Sequence, residues 1–242
     1  RVTGWRKRDT MQPLSTRLRE GTKAAHVAAE RSPLMRVLLR GGMTPGVYRQ
    51  LLESWLAIYD ALERGLAQHQ AHPLLAPLYF PELCRVPALR ADLQFFADDA
   101  ETTEAPVPAT LPISAQRYAA RLTELSAADP VLLLAHAYTR YLGDLSGGQL
   151  LAGVVRRALS LTSAEGTAFF EFAQLGDLTA FKAEYRRRLD AVPLTDSDAQ
   201  RVVEEAVAAF GYNQALTDEL TPALQQSLGA ARFAELSTPV SR

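Results

Sequence analysis

His26 is followed four residues later by Glu30, one turn along the same helix face. A carboxylate there can take a hydrogen bond from one ring nitrogen and leave the other for a metal, which fixes the tautomer of a ligating imidazole. A lone helical histidine is more often a packing or surface residue; the Glu30 spacing argues for a ligand. Lys182, Tyr185 and Arg186 fall at i, i+3 and i+4, so one helix face would carry all three. Arg19 lies two turns before His26 on the same side of its helix. Such groups grip carboxylates through charge-assisted hydrogen bonds, Arg with two at once. A solvated basic face has the same spacing, and the adjacent Arg187 and Arg188 read as that, or as a surface for an acidic redox partner. The third constellation is Asp144, set among Gly143, Gly147 and Gly148. Each glycine costs an otherwise helical segment about 1 kcal/mol relative to alanine. Gly143 and Gly147 are one turn apart, so they share a face. That bare face could let a flat or bulky group lie against the backbone, allow a bend, or serve close helix packing. Asp144 could equally be a salt-bridge partner of Arg140, one turn back.

Helices must position these residues. Val47, Leu51, Leu52, Trp55, Ile58, Tyr59, Leu62 and Leu66 recur at three- and four-residue steps, the stripe of an amphipathic helix. Thr44-Pro45 supplies a hydroxyl cap and a first-turn proline. The same logic predicts helices over Ser15–Arg31, Pro81–Ala97 with an interruption near Pro87, Pro112–Ser126, Asp129 to about Leu161, Asp177–Leu189, Asp196–Leu216 and Leu220–Leu236. The pair beginning at Asp177 and Asp196 would have aspartate caps. Period-two alternation is nearly absent. The chain therefore reads as all-α, a single-domain helical bundle over residues 13–236, with a flexible arm at 1–12 and a tail at 237–242. Asp98–Pro112, rich in proline, threonine and acid, reads as a surface loop.

Composition narrows the function. The 242 residues carry 26 Lys+Arg against 27 Asp+Glu, so no basic excess suggests nucleic-acid binding. One cysteine, Cys84, excludes an internal disulfide and an all-cysteine metal site, and fits a reducing, cytoplasmic setting. No run reaches the ~18 apolar residues of a membrane span, and no membrane anchor is expected. Leu145-Ser146-Gly147-Gly148-Gln149 is the signature pentapeptide of ABC-type ATPases, but the chain has no Gly-Lys dipeptide and hence no phosphate loop to work with it.

The longer string His136-Ala-Tyr-Thr-Arg-Tyr-Leu-Gly-Asp-Leu-Ser-Gly-Gly-Gln149 closely resembles the distal-helix motif of the heme oxygenase family. Glu20-Gly21-Thr22-Lys23-Ala24-Ala25-His26 is similar to that family's proximal-histidine segment. Leu78–Leu83 and Phe181–Arg186 match in the family's order, and the likeness covers Pro13 to about Leu220. The resemblance implies haem as substrate and cofactor, with iron ligated by His26. It implies propionate contacts from Arg19, Lys182, Tyr185 and Arg186, and haem contacts from Glu30, Tyr138, Thr139, Gly143, Gly147, Gly148, Phe210 and Asn213. It implies that Asp144 does not bind iron but holds a water that delivers protons near the reacting oxygen. Gly143 would let backbone approach, and Tyr59, Tyr118, Arg140 and Asn213 would extend the network. The expected reaction is cleavage of haem at a meso carbon, using O2 and electrons, to biliverdin, carbon monoxide and ferrous iron. A ferredoxin- or flavodoxin-type donor follows by analogy.

Competing classes make distinct demands. A haem-storage protein would keep His26 and the basic clamp without needing Asp144. A related thiaminase-like bundle would need neither His26 nor the cations. A di-iron bundle needs Glu-x-x-His pairs, and the sequence has none. His69 and His72, flanking Pro73, and His136 read as structural.

Overall fold

The computed structural model describes residues 12–98 and 110–238. Among these residues there is no strand, and nine α-helices surround one hydrophobic core. Most of the expected arm, most of the Asp98–Pro112 loop and the end of the tail lie outside the described residues.

Helix α1 (Leu14–Glu30) buries Leu14, Leu18 and Thr22, a stripe at four-residue steps, against α8. Gly21 sits where a Cβ would run into the Val203 side chain of α8, so the two helices cross closely. Helix α2 (Pro33–Leu39) starts on Ser32, whose hydroxyl accepts from the Met35 N–H. Helix α3 (Pro45–Gln68) buries the expected stripe except Trp55, which stays partly open. Pro45 takes the first turn, but Thr44 is no side-chain cap. Its hydroxyl pairs at 3.0 Å with the Ser227 hydroxyl of α8 instead.

The interruption expected near Pro87 is a helix start. Pro81–Leu83 is a short 3₁₀ turn, and α4 (Val86–Asp98) takes Pro87 in its first turn, where a missing N–H costs nothing. Helix α5 (Ile113–Ala128) packs along α3. A 3₁₀ turn at Pro130–Leu132 leads into α6 (Leu133–Ala158), which runs unbroken through all three glycines of the distal string. Asp177 caps α7 (Leu178–Ala191), accepting from Thr179 at 2.8 Å and Ala180 at 3.2 Å.

Helix α8 (Asp196–Leu228) corrects two expectations. Its cap is Thr195, whose hydroxyl accepts from Asp198, while Asp196 and Asp198 lie in the first turn, where the helix dipole favours acids. It continues past Leu216 and through Pro222. The break comes at Gly229, whose φ of +80° suits a residue without a Cβ. Helix α9 (Ala230–Ser237) then folds back on α2.

Three helices are tied by a buried polar chain. The Tyr118 hydroxyl of α5 lies 3.0 Å from His136 Nδ1 of α6, and His136 Nε2 lies 3.0 Å from Glu205 of α8. Arg121 of α5 grips both Glu205 oxygens at 3.0 and 2.8 Å. Burial alone would raise the Glu205 carboxyl, but the His136 and Arg121 hydrogen bonds outweigh it and hold it down to about 2. Burial lowers the His136 pKa, so the imidazole bridges phenol and carboxylate in its neutral form at neutral pH. Glu205→Ala would leave the buried His136 Nε2 without its partner and Arg121 with only Glu124, 3.2 Å away, and should destabilise the fold by about 2 kcal/mol in urea titrations at pH 7. A depressed carboxyl stabilises above its unfolded pKa and loses that contribution as pH falls toward its folded one. The deficit should therefore shrink as the titration is repeated between pH 4 and pH 2.

Candidate active site

A cavity of ≈ 210 Å³ is walled by α1, α2, α3, α6 and α8. From α1 come His26 and Glu30; from α6, Thr139, Arg140, Gly143 and Asp144; from α8, Phe210 and Asn213. The fold thus gathers eight of the residues singled out above, from three helices distant in sequence. Leu34, Met35, Leu38, Leu51 and Trp55 complete an apolar wall. Sequence reading assigned Leu51 and Trp55 only to packing, since a cavity-lining position on a helix stripe has the same period as a core one.

His26 is well exposed at the cavity. Its Nδ1 stands 3.6 Å from Glu30, an ion-pair distance rather than a hydrogen bond. The Phe210 ring meets it edge-on at 5.8 Å, which limits how the imidazole turns. No hydrogen bond among the described residues engages its Nε2, the atom left for a ligand. Across the lining Gly143 exposes bare helix, and Gly147, one turn on and outside the lining, is equally bare: a Cβ built on either meets no atom within 4 Å. Gly148 differs. It is buried, and its Cβ would meet the Phe170 carbonyl at 3.4 Å. It serves close packing of the 168–170 turn on α6 and adds nothing to the open face.

Asp144 is held from another helix. The Tyr59 hydroxyl of α3 donates to its Oδ2, and Arg140 Nε donates to that same phenol oxygen at 3.1 Å. A second Arg140 nitrogen donates to the Asn213 side-chain carbonyl of α8, whose amide in turn donates to the Ala209 carbonyl at 2.9 Å. The expected alternative of a direct Arg140–Asp144 bridge gives way to this relay through Tyr59. Burial pushes the Asp144 carboxyl up to about 6, against the opposing pull of Arg140 and Tyr59. Burial also raises Tyr59 well above its ordinary value, so the phenol keeps its proton and remains the donor. The arrangement is a buried carboxylate poised near neutrality at the cavity, fixed in orientation by a phenol and a guanidinium. It can hold water and pass protons.

Thr139 turns its hydroxyl back to the Ala135 carbonyl at 2.8 Å, leaving its methyl for the cavity. Tyr118 belongs to the buried chain with His136 and stacks on Tyr212 at 5.0 Å. Arg19, Lys182 and Arg186 stand outside the cavity lining. Arg186 and Arg19 both act electrostatically on Tyr138, so those three cluster. Tyr185 departs from the shared face its spacing suggested. It is fully buried beside Phe80, with ring centroids 5.8 Å apart, and its hydroxyl has no hydrogen-bond partner. Arg187 and Arg188 are both bound by Glu184 at 2.7 Å. His69 bonds the Ser126 carbonyl at 2.8 Å and His72 accepts from Leu74, both structural roles.

The Heme oxygenase family model matches residues 12–219. A curated relative, heme oxygenase 1 of Nostoc sp., is 38% identical over 231 residues, 95% of this chain and 94% of that protein. Among solved structures, heme oxygenase-1 of the cyanobacterium Synechocystis sp. PCC 6803, in complex with heme, superposes with a TM-score of 0.84 at 39% identity, covering 93% of this chain and all of that one. Heme oxygenase-2 of the same organism, in complex with heme and NO, gives a TM-score of 0.86 at 37% identity over 96% and 94% of the two chains.

The open glycines predict a measurable strain on the ligand-free protein. Gly143→Ala and Gly147→Ala should each raise its stability by about 0.5–1 kcal/mol in urea titrations, because helix propensity improves with no steric charge. Gly148→Ala should gain a similar amount, since its methyl would meet the Phe170 carbonyl at 3.4 Å, an ordinary van der Waals contact.

Proposed function

The chain belongs to the heme oxygenase family, and from that footing we propose that it cleaves haem at a meso carbon, with O2 and electrons, to biliverdin, carbon monoxide and Fe2+. The observation that carries the reading is a single cavity lined both by an imidazole with a free nitrogen and by bare helix flanking a held carboxylate. A planar guest suits the space that a Cβ would otherwise fill at Gly143, with Gly147 extending the bare face one turn beyond the lining. The cavity, at ≈ 210 Å³, is smaller than the roughly 300–1,000 Å³ usual for ligand pockets, so a porphyrin would extend past this lining. The cations suited to its propionates, Arg19, Lys182 and Arg186, stand outside the lining. The buried Tyr185 hydroxyl, without a hydrogen-bond partner, is near enough to Tyr138 to be influenced by it electrostatically.

Bound haem would supply both the carbon skeleton that is cleaved and the iron chemistry of O2. The chain supplies position and protons. His26 would ligate through Nε2, with Glu30 on the Nδ1 side fixing the tautomer and Phe210 restraining the ring. Gly143 and Gly147 would let the α6 backbone approach where side chains would intrude. Asp144 would hold a water and pass its proton, kept in register by Tyr59, Arg140 and Asn213. Storage without turnover gives no reason for a carboxylate so elaborately held.

The electron donor would be a ferredoxin- or flavodoxin-type protein, approaching where no ion pair among the described residues engages Arg19, Lys182 or Arg186. No described helix is long and apolar enough to cross a membrane. A cytoplasmic setting accords with the single cysteine.

The test is optical. Purified chain mixed with hemin should give a ligated-haem spectrum, and reductant in air should replace that band with biliverdin absorption. A stable haem spectrum would indicate storage, and no binding would leave only the fold. His26→Ala should abolish the ligated spectrum, with imidazole restoring it. Asp144→Ala should bind haem normally yet form biliverdin about 10²-fold more slowly; an unchanged rate would remove Asp144 from the mechanism. The wild-type rate should fall on the acid side of about pH 6, as Asp144 takes up its proton. Asp144→Asn should lack that limb.

A further inference from the structure

Between α6 and α7 the chain dips into the core at 166–170, and two short 3₁₀ turns, Ala168–Phe170 and Ala173–Leu175, leave most of that backbone to be satisfied from elsewhere. Side chains from α3, α4 and α6, with Arg85 just before α4, hold it instead. Asp92 of α4, only 1% exposed, accepts from the Ala168 N–H at 2.7 Å with one oxygen and from the Phe169 N–H at 2.8 Å with the other. Arg85 donates to the Glu171 carbonyl at 2.6 Å and the Phe169 carbonyl at 3.4 Å. Tyr48 donates to the Gly166 carbonyl at 3.0 Å, and Arg156 to the Thr167 hydroxyl at 2.8 Å. Buried backbone groups must be paired, and here the pairing fixes one turn rigidly.

That turn delivers Phe169. Its ring is fully buried, stacked on Trp55 with centroids 4.7 Å apart and edge-on to Tyr59 at 5.4 Å. Trp55 is a wall of the cavity, and Tyr59 is the donor that holds Asp144. The next residue, Phe170, lies against the backbone of α6 at Gly148.

We propose that Asp92 is a positioning residue for haem cleavage: by clamping the 168–169 backbone it seats Phe169 against Trp55 and Tyr59, and through Tyr59 it fixes Asp144. Asp92 itself does not line the cavity. The proposal rests on the function assigned above, because it concerns the carboxylate used in that reaction. Its geometric half, from Asp92 to Trp55, can be read without haem. Both oxygens are needed: an amide at position 92 offers one acceptor and sets its N–H₂ against a second N–H.

The experiment uses the full chain in a Trp5→Phe background, leaving Trp55 as the sole indole. Asp92→Ala, Asp92→Asn and Phe169→Leu are compared with the parent, first without haem by near-UV circular dichroism, then with haem by affinity and by the pH dependence of biliverdin formation. All three should weaken the Trp55 signal, Asp92→Asn least. Haem affinity should change far less than turnover, because His26 and the basic residues are untouched and only the Trp55 wall shifts. Turnover should drop about tenfold for Asp92→Ala, the scale of a slightly misplaced group. In Phe169→Leu, which keeps Asp92, the acid limb should move to lower pH as water reaches a loosened Asp144; in the Asp92 variants the loss of the Asp92 carboxyl, itself pushed up by burial to about 6, acts on the same limb, so Phe169→Leu decides this readout. A structural staple alone would lower the melting temperature but, well below melting, leave the Trp55 signal and the acid limb at parental values; that result would overturn the proposal. If Asp92→Ala does not fold, Phe169→Leu carries the test, and a parental acid limb in that variant is equally fatal. If the parent binds no haem or does not cleave it, the assigned function fails, and a parental Trp55 signal in the variants would separately show the clamp to be inert.

Discussion

The hydrogen bond from Tyr59 to Asp144 is the constraint on which the site depends. A helix that presents bare backbone to a cavity has given up the side chains that would normally brace a carboxylate on the same surface. Gly143 precedes Asp144 directly and Gly147 follows within a turn, so local support is missing on that face. Orientation therefore comes from α3, through a phenol that is itself buried and receives a hydrogen bond from Arg140. Arg140 is anchored on α8 through Asn213. Three helices must be in register before one carboxylate is.

That dependence explains where the fold spends its buried polar groups. The Tyr118–His136–Glu205–Arg121 chain locks α5, α6 and α8. The Asp92 and Arg85 contacts hold the turn that backs Tyr59. Both sets are fully hydrogen-bonded, the condition under which a buried polar network specifies one arrangement instead of weakening the core. On the proximal side much less is fixed. His26 is exposed, 3.6 Å from Glu30, with a single aromatic edge against it. A ligand, when present, would supply the missing constraint.

What the sequence made legible follows from the range of the interactions. The i, i+4 pair of His26 and Glu30, the amphipathic stripe of α3 and the glycine spacing of α6 are local, and each was readable from spacing. The holding of Asp144 was legible only through the family resemblance, which named Tyr59, Arg140 and Asn213; spacing alone gave no sign of it, because Tyr59 stands 85 positions away and its place on α3 is that of any core residue. Tyr185 misled for the same reason: helix phase places it near Lys182 and Arg186, but only the packing of Phe80 decides that it turns inward. Asp92 gave no signal, since a lone aspartate on a surface-like helix reads as solvated until the turn it clamps is known. Helix ends failed where one cue stood in for another. Pro222 is accommodated within α8, whereas Gly229, an unremarked residue in the sequence, ends it.

The bare stretch of α6 bears on the protein's lifetime as well as its chemistry. Helix-weakening residues kept for a guest are a standing debt while no guest is bound, and binding to the native state alone adds stability in proportion to the logarithm of ligand concentration. The empty chain is thus the form more often open to proteases and quality control, and the loaded chain the form that persists. Supply of the molecule it consumes would then regulate how long each copy survives, with no regulatory domain required.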